Sequence, residues 1–222
     1  MKLIKLSTEQ FAKIAIVKTA LIFAIALVPN LLAAQSNYYF QRKTLFETLP
    51  ITSKDIVFLG NSITDGAEWA EIFDNPRIKN RGISGDRTQG VLDRLYQVTD
   101  GKPKKIFLLI GINDLTAVET SQVIDNIKKI IDRVGTETPK TKLYVQSIMP
   151  VGERLKNKMD LVPGVNKAIK EYCEQKGVTY IDLHPALADE NGLLRKDYSN
   201  DQLHLMGEGY KAWADVIRPY VK

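Results

Sequence analysis

The sequence predicts an α/β fold in which five parallel strands form a sheet covered by helices on both faces. Three observations lead there. Five short apolar runs, at 55–60, 78–83, 105–111, 142–149 and 178–183, are spaced widely enough for helices to lie between them. The third contains Ile106-Phe107-Leu108-Leu109-Ile110 with no polar alternation. Both faces of such a strand need cover, which is the situation inside a parallel sheet. The stretches between the runs place apolar residues at helical spacing, and strand alternating with helix closes a parallel sheet through right-handed crossovers.

Taken in chain order, residues 1–34 read as an export signal. Lys2, Lys5, Lys13 and Lys18 precede an apolar stretch at 20–28, and Ala33-Ala34 close the segment, the order of a secretory signal peptide. The stretch is shorter than the roughly 20 apolar residues that cross a bilayer, and Pro29-Asn30 interrupt it. Cleavage is expected after Ala34 or Ala33, leaving no stable membrane span. This segment carries more than half of the formal net charge of +5. The remaining domain, 35–222, is therefore too nearly neutral to argue for a nucleic-acid or acidic-membrane partner. Its length suits one domain with a sizeable core.

Residues 38–49 are expected to form a short helix outside the sheet. The pattern at 88–98 aligns Val91, Leu92, Leu95 and Val98 on one stripe, and that at 123–134 aligns Ile124, Ile127, Ile130 and Ile131. Two further helical patterns cover 161–175 and 208–221. Thr120 or Ser121 suits the start of the second pattern, and Gly177 the end of the third. Cys173, the only cysteine, excludes an internal disulfide and reads as a small core residue.

Reactive residues fall where such a sheet collects them, on loops beyond the carboxyl ends of the strands. Ser62 follows the first strand, Ser84-Gly85-Asp86 the second and Asn113-Asp114 the third; Asp201 and His204 follow the fifth. A serine hydroxyl is a poor nucleophile until a neighbour takes its proton, and only two histidines are present. Asp201 is close enough in sequence to hold one nitrogen of the His204 ring and leave the other facing Ser62. His184, in Asp182-Leu183-His184-Pro185, reads more plainly as a structural histidine, so Asp182 and His184 rank second as a pair. Three donors are candidates for binding an oxyanion: the backbone N–H groups of Ser62 and Gly85 and the side-chain amide of Asn113. Gly85 alone would pass for a turn glycine, and Asn113 for a cap or turn residue. Their placement after successive strands is what informs.

Four blocks resemble those of the GDSL-like, or SGNH, hydrolase superfamily: Gly60-Asn61-Ser62-Ile63-Thr64, Ile83-Ser84-Gly85-Asp86, Gly111-Ile112-Asn113-Asp114 and Asp201-Gln202-Leu203-His204. The resemblance implies a three-layer α/β/α, flavodoxin-like fold and ester hydrolysis with no cofactor. It implies Ser62 as nucleophile, Asp201 and His204 as acid and base, and Ser62, Gly85 and Asn113 as oxyanion hole. Ile83-Ser84-Gly85-Asp86-Arg87-Thr88 and Met149-Pro150-Val151-Gly152-Glu153 are similar to the platelet-activating-factor acetylhydrolase subunit and bacterial acetylesterase branches. Three positions depart from the pattern. Asn61 stands where many members have Asp, Gln202 replaces a small residue, and Leu205 follows the histidine. Ile63-Thr64 after Ser62 also exclude the Gly-x-Ser-x-Gly elbow of α/β-hydrolases.

The expected function is that of an exported serine esterase, periplasmic or extracellular, removing short acyl groups from a small-molecule or polysaccharide ester. The alternatives are an acylhydrolase of longer chains, an acyltransferase and a silent carbohydrate-binding domain on the same fold. No metal-ligand spacing and no phosphate-binding glycine loop are present in the sequence. Asp65 and Asp86 read first as caps, Arg87 and Lys156-Asn157-Lys158 as solvated charges, and Trp69 and Trp213 as packing residues.

Overall fold

The computed structural model describes residues 37–222, and an α/β unit spans Arg42–Lys222. The expected export signal lies outside the described residues. Five parallel strands, β1 (Ile56–Gly60), β2 (Ile78–Gly82), β3 (Lys105–Leu109), β4 (Lys142–Gln146) and β5 (Thr179–Ile181), form one sheet in the order β2-β1-β3-β4-β5. This is the flavodoxin-like order, whose reversal between β1 and β3 opens a crevice at the carboxyl edge. Strands β1 and β3 are buried along their whole length, as their unbroken apolarity requires. The ladders end two or three residues before the apolar runs at 105–111 and 142–149 do. Ile110, Ile112, Ile148 and Met149 stay buried beyond them, because the rim loops need an apolar floor as much as the strands do.

The helices are α1 (Ser62–Asp65), α2 (Trp69–Ile72), α3 (Thr88–Asp93), α4 (Tyr96–Thr99), α5 (Thr120–Glu137), α6 (Lys156–Met159), α7 (Val162–Lys176), α8 (His184–Leu187) and α9 (Gly207–Val221). Residues 37–47 are also helical. Helix α5 buries Val123, Asn126, Ile127, Ile130, Ile131 and Val134 on one stripe. Its cap is Glu119, not Thr120 or Ser121. The Glu119 carbonyl already accepts from the N–H groups of Gln122 and Val123, so the chain enters the helix one residue earlier than its cap chemistry suggests. Gly177 ends α7 in the left-handed region, φ 66°, and the Val178 N–H returns to Cys173 O at 2.9 Å. The helix expected over 88–98 is broken into α3 and α4, since Arg94 leaves helical dihedrals (φ −114°, ψ 11°) and buries its side chain completely. Cys173 is buried, and that burial pushes its thiol up to about 11.

An aromatic row crosses the sheet. Phe58, Phe107 and Tyr144 are register partners, with ring centroids 4.9 and 4.7 Å apart. Trp69 stacks on Phe58 at 4.4 Å, meets Trp213 edge-on at 4.5 Å and donates its indole N–H to Thr64 O. Trp69 is 1% exposed, so it packs and offers no surface to a sugar. Trp69→Ala is expected to lower unfolding free energy by about 4 kcal/mol, read from urea denaturation. A loss below about 1 kcal/mol would mean that the neighbouring rings refill the space.

Candidate active site

Ser62 is the first residue of α1, and its position is set from both sides. The Asn61 side-chain oxygen accepts the Ile63 N–H at 3.1 Å, while Asn61 O accepts from Thr64 and Asp65. Capping uses only an acceptor oxygen, so asparagine can cap at 61, although its buried Nδ2 has no hydrogen-bond partner among the described residues. Below, α1 sits directly on the sheet edge. A Cβ on Gly82 would come within 2.2 Å of Asp65 N, and one on Gly60 within 2.3 Å of Thr64 Oγ1. Glycine at both positions lets the helix lie that low, with Ser62 at the crevice beyond β1.

Asp201 and His204 arrive from the loop before α9. His204 Nδ1 lies 2.6 Å from Asp201 Oδ2, and His204 Nε2 lies 2.9 Å from Ser62 Oγ. Asp201 Oδ1 accepts the backbone N–H groups of Leu203 and His204 at 2.9 and 2.8 Å. Burial pushes the Asp201 carboxyl up, but the His204 ring and those two N–H groups outweigh it and hold it well below the usual carboxylate range. An ionised Asp201 fixes the proton on Nδ1 and leaves the Nε2 lone pair towards the serine hydroxyl. The arrangement can therefore take a proton from Ser62 and return it to a leaving group.

Gln202 shapes this loop, a role the sequence signals only as a bulky side chain between acid and base. It occupies the left-handed region, φ 71°, a costly conformation for a residue with a Cβ. Its Oε1 accepts the Arg154 N–H and its carbonyl accepts the Gly152 N–H, both at 2.8 Å. The Arg154 guanidinium donates to Asp201 O at 2.5 Å. A Cβ on Gly152 would meet the Gln202 side chain at 2.5 Å. Gln202→Ala keeps the strain and loses one hydrogen bond, so kcat is expected to fall about tenfold. Steady-state kinetics check this, and an unchanged kcat would show that the backbone bond alone holds the loop.

The three candidate oxyanion donors stand just after β1, β2 and β3, on loops beyond the carboxyl ends of those strands. Among the described residues, the backbone N–H groups of Ser62 and Gly85 donate to nothing. Gly85 has φ 79°, and a Cβ there would meet no atom within 4 Å. Its backbone dihedral, and not crowding, demands glycine. Asn113 donates one amide proton to Asp86 O at 3.0 Å, which fixes the amide and leaves its second proton.

Other residues take structural places. The His184 N–H donates to Asp182 Oδ1, so this pair is joined through backbone and not through the ring. Burial pushes the His184 imidazole down, against the opposing charge of Asp182. Asp65 accepts from Ser84 Oγ at 2.8 Å. Asp114 is buried, accepting from Thr88 N and Oγ. Lys158 is not a free surface charge: its ammonium donates to Ile112 O and Leu115 O at 2.9 and 2.8 Å, on either side of Asn113. Asp86 is no helix cap, since it pairs with Arg94 at 2.8 Å in the interior. Arg94 was legible only as a charge among the apolar stripe of Val91, Leu95 and Val98. Among the described residues, no group of three or more His, Cys, Asp or Glu side chains could hold a metal ion.

Comparison with known proteins bears on the same segments. The model of the GDSL-like Lipase/Acylhydrolase family matches residues 58–212. The platelet-activating factor acetylhydrolase IB subunit alpha2 of Rattus norvegicus is 28% identical over 172 residues, 74% of this chain and 73% of that protein. A solved structure from Streptococcus pneumonia, provisionally described as a platelet activating factor, is 30% identical with a TM-score of 0.77, covering 90% of this chain and 99% of its own. A GDSL-like lipase from Bacteroides thetaiotaomicron, 24% identical, shares the fold with a TM-score of 0.73 over 82% of this chain and 96% of its own. The family match begins inside β1, ends inside α9 and takes in every loop of the crevice, and on that ground the chain belongs to the GDSL-like Lipase/Acylhydrolase family.

Proposed function

We propose that this member of an ester-hydrolysing family works through an acyl-enzyme on Ser62. Its substrates are short acyl esters, acetyl above all, of a carbohydrate or similar polar alcohol. The observation that carries the reading is the line from Asp201 Oδ2 to His204 Nδ1 at 2.6 Å and from His204 Nε2 to Ser62 Oγ at 2.9 Å. His204 takes the hydroxyl proton as Ser62 attacks the carbonyl carbon. The tetrahedral oxyanion accepts from the N–H groups of Ser62 and Gly85 and from the Asn113 amide. Collapse expels the alcohol, protonated by His204, and water repeats the sequence to release the acid.

Openness of the site supports the short acyl group. The side chains of His204 and Asp201 are 43% and 41% exposed, and open space adjoins Gly85. Export of residues 35–222, argued from the basic and apolar pattern at 1–34, would bring such an enzyme to external or envelope glycans. Sequencing the amino terminus of protein recovered outside the cytoplasm tests that part, with Gln35 expected first. The catalytic part is tested by fluorophosphonate labelling, with the adduct mapped by mass spectrometry, and by release of acetate from a panel of acetylated sugars. Label on Ser62 together with acetate release is expected. Faster turnover of p-nitrophenyl octanoate than acetate would replace the short-acyl reading, and no label on Ser62 would remove the mechanism.

A further inference from the structure

Arg94 is a completely buried charged side chain, with no exposed surface on its guanidinium. Its Nη2 donates to Gly60 O at 3.1 Å, two residues ahead of Ser62. Its Nε donates to Asp86 Oδ2 at 2.8 Å, one residue beyond Gly85. The other carboxylate oxygen of Asp86 accepts the Arg87 N–H at 2.9 Å, and the Asp86 carbonyl accepts the Asn113 amide at 3.0 Å. One buried residue thus connects the three separate loops that carry the donors of the proposed oxyanion hole.

Stability alone is a weak reason for such a group. A buried ion pair often gains little or nothing over well-packed apolar residues of similar volume. Arg94 Nη1 is also buried without a hydrogen-bond partner among the described residues, which adds a desolvation cost. What the pair does supply is fixed geometry. Gly60 O also accepts the N–H of Ile83, the residue just after β2, so Arg94 references both outer loops to the sheet edge. The Asn113 amide is then oriented against Asp86.

We propose that Arg94 is a positioning residue for ester hydrolysis, holding the Ser62 N–H, the Gly85 N–H and the Asn113 amide at one spacing through Gly60 and Asp86. The inference rests on the serine mechanism proposed above. A misplacement of about 1 Å in such donors costs about 100-fold in rate, and it acts on the transition state more than on the bound ester.

The test compares Arg94→Met, Arg94→Lys and Asp86→Asn with the wild-type enzyme on p-nitrophenyl acetate. Rates are normalised to active sites counted by fluorophosphonate labelling carried to completion, so that poorly folded protein drops out. Arg94→Met is expected to lose about 100-fold in kcat per labelled site, with KM within about threefold. Arg94→Lys keeps the charge without the planar fork and should fall between. Asp86→Asn nearly preserves shape but sets an amide where two donors need acceptors, and it covers the case in which Arg94→Met does not fold. Its expected loss is about tenfold in kcat. In each variant the Ki of phenylboronic acid, which forms a tetrahedral adduct on serine, should rise by the factor that kcat falls. Labelled sites that turn over at the wild-type kcat, whatever the melting temperature, would overturn the positioning role and leave the mechanism standing. A wild-type enzyme without label on Ser62 would overturn the mechanism and this role with it.

Discussion

Ser62→Ala is expected to lower kcat/KM for p-nitrophenyl acetate by about five to six orders of magnitude, a loss of about 7–8 kcal/mol in transition-state stabilisation. The side chain is half-buried, and among the described residues its one hydrogen bond is to His204 Nε2. Among the described residues the alternatives are occupied: Ser84 Oγ is committed to Asp65, and the His184 ring is not joined to the Asp182 carboxylate as a dyad. Removing Oγ takes away the atom that is acylated while leaving α1, its Asn61 cap and its glycine bed intact. Thermal denaturation should therefore move by no more than a degree or so. A variant retaining activity within about 100-fold of wild type would mean that water, activated by His204, attacks directly.

Asp201→Asn should retain the loop and still lose about four orders of magnitude in kcat. The reason lies in the two backbone donors. The N–H groups of Leu203 and His204 both point at Oδ1, so an asparagine keeps its oxygen there and turns its NH2 towards His204 Nδ1. Two donors then face each other unless the imidazole moves its proton to Nε2. In that tautomer the ring has no lone pair for the Ser62 hydroxyl. The same substitution has a pH signature in stability. The Asp201 carboxyl is held below its ordinary range in the folded protein. Its stabilising contribution is thus present above the unfolded value of about 3.9 and is lost as the medium is acidified towards the folded one. Wild type and Asp201→Asn should accordingly converge in stability in strong acid and separate near neutrality, as urea titrations across pH can read. Equal kcat for the two proteins would show that Asp201 does not set the tautomer.

Much of the fold was legible because its signals are carried by single segments. The unalternating run at 106–110 suited a strand covered on both faces, and Gly177 suited the end of a helix. Ser62, Gly85, Asn113, Asp201 and His204 were each readable from where they stand after a strand or before the last helix. What escaped depends on pairs of residues far apart in the chain. Arg94 interrupts the helix over 88–98 because it reaches Gly60 and Asp86, neither of which a helical period can announce. Lys158 reads as part of a solvated run, yet it spends its charge on two carbonyls beside Asn113. Gln202 takes a left-handed conformation because Gly152 and Arg154 come to meet it. Helix caps failed for a smaller reason, since Thr120 has the right chemistry but Glu119 has the right backbone.

The 142 residues that separate Ser62 from His204 have a consequence for biogenesis. A ribosome makes the proposed nucleophile well before its base. Any growing polypeptide, or any fragment cut short before His204, therefore displays a hydroxyl with no partner to draw off its proton. Such precursors should be inert towards cellular esters until the loop carrying Asp201 and His204 is made and folds against the crevice.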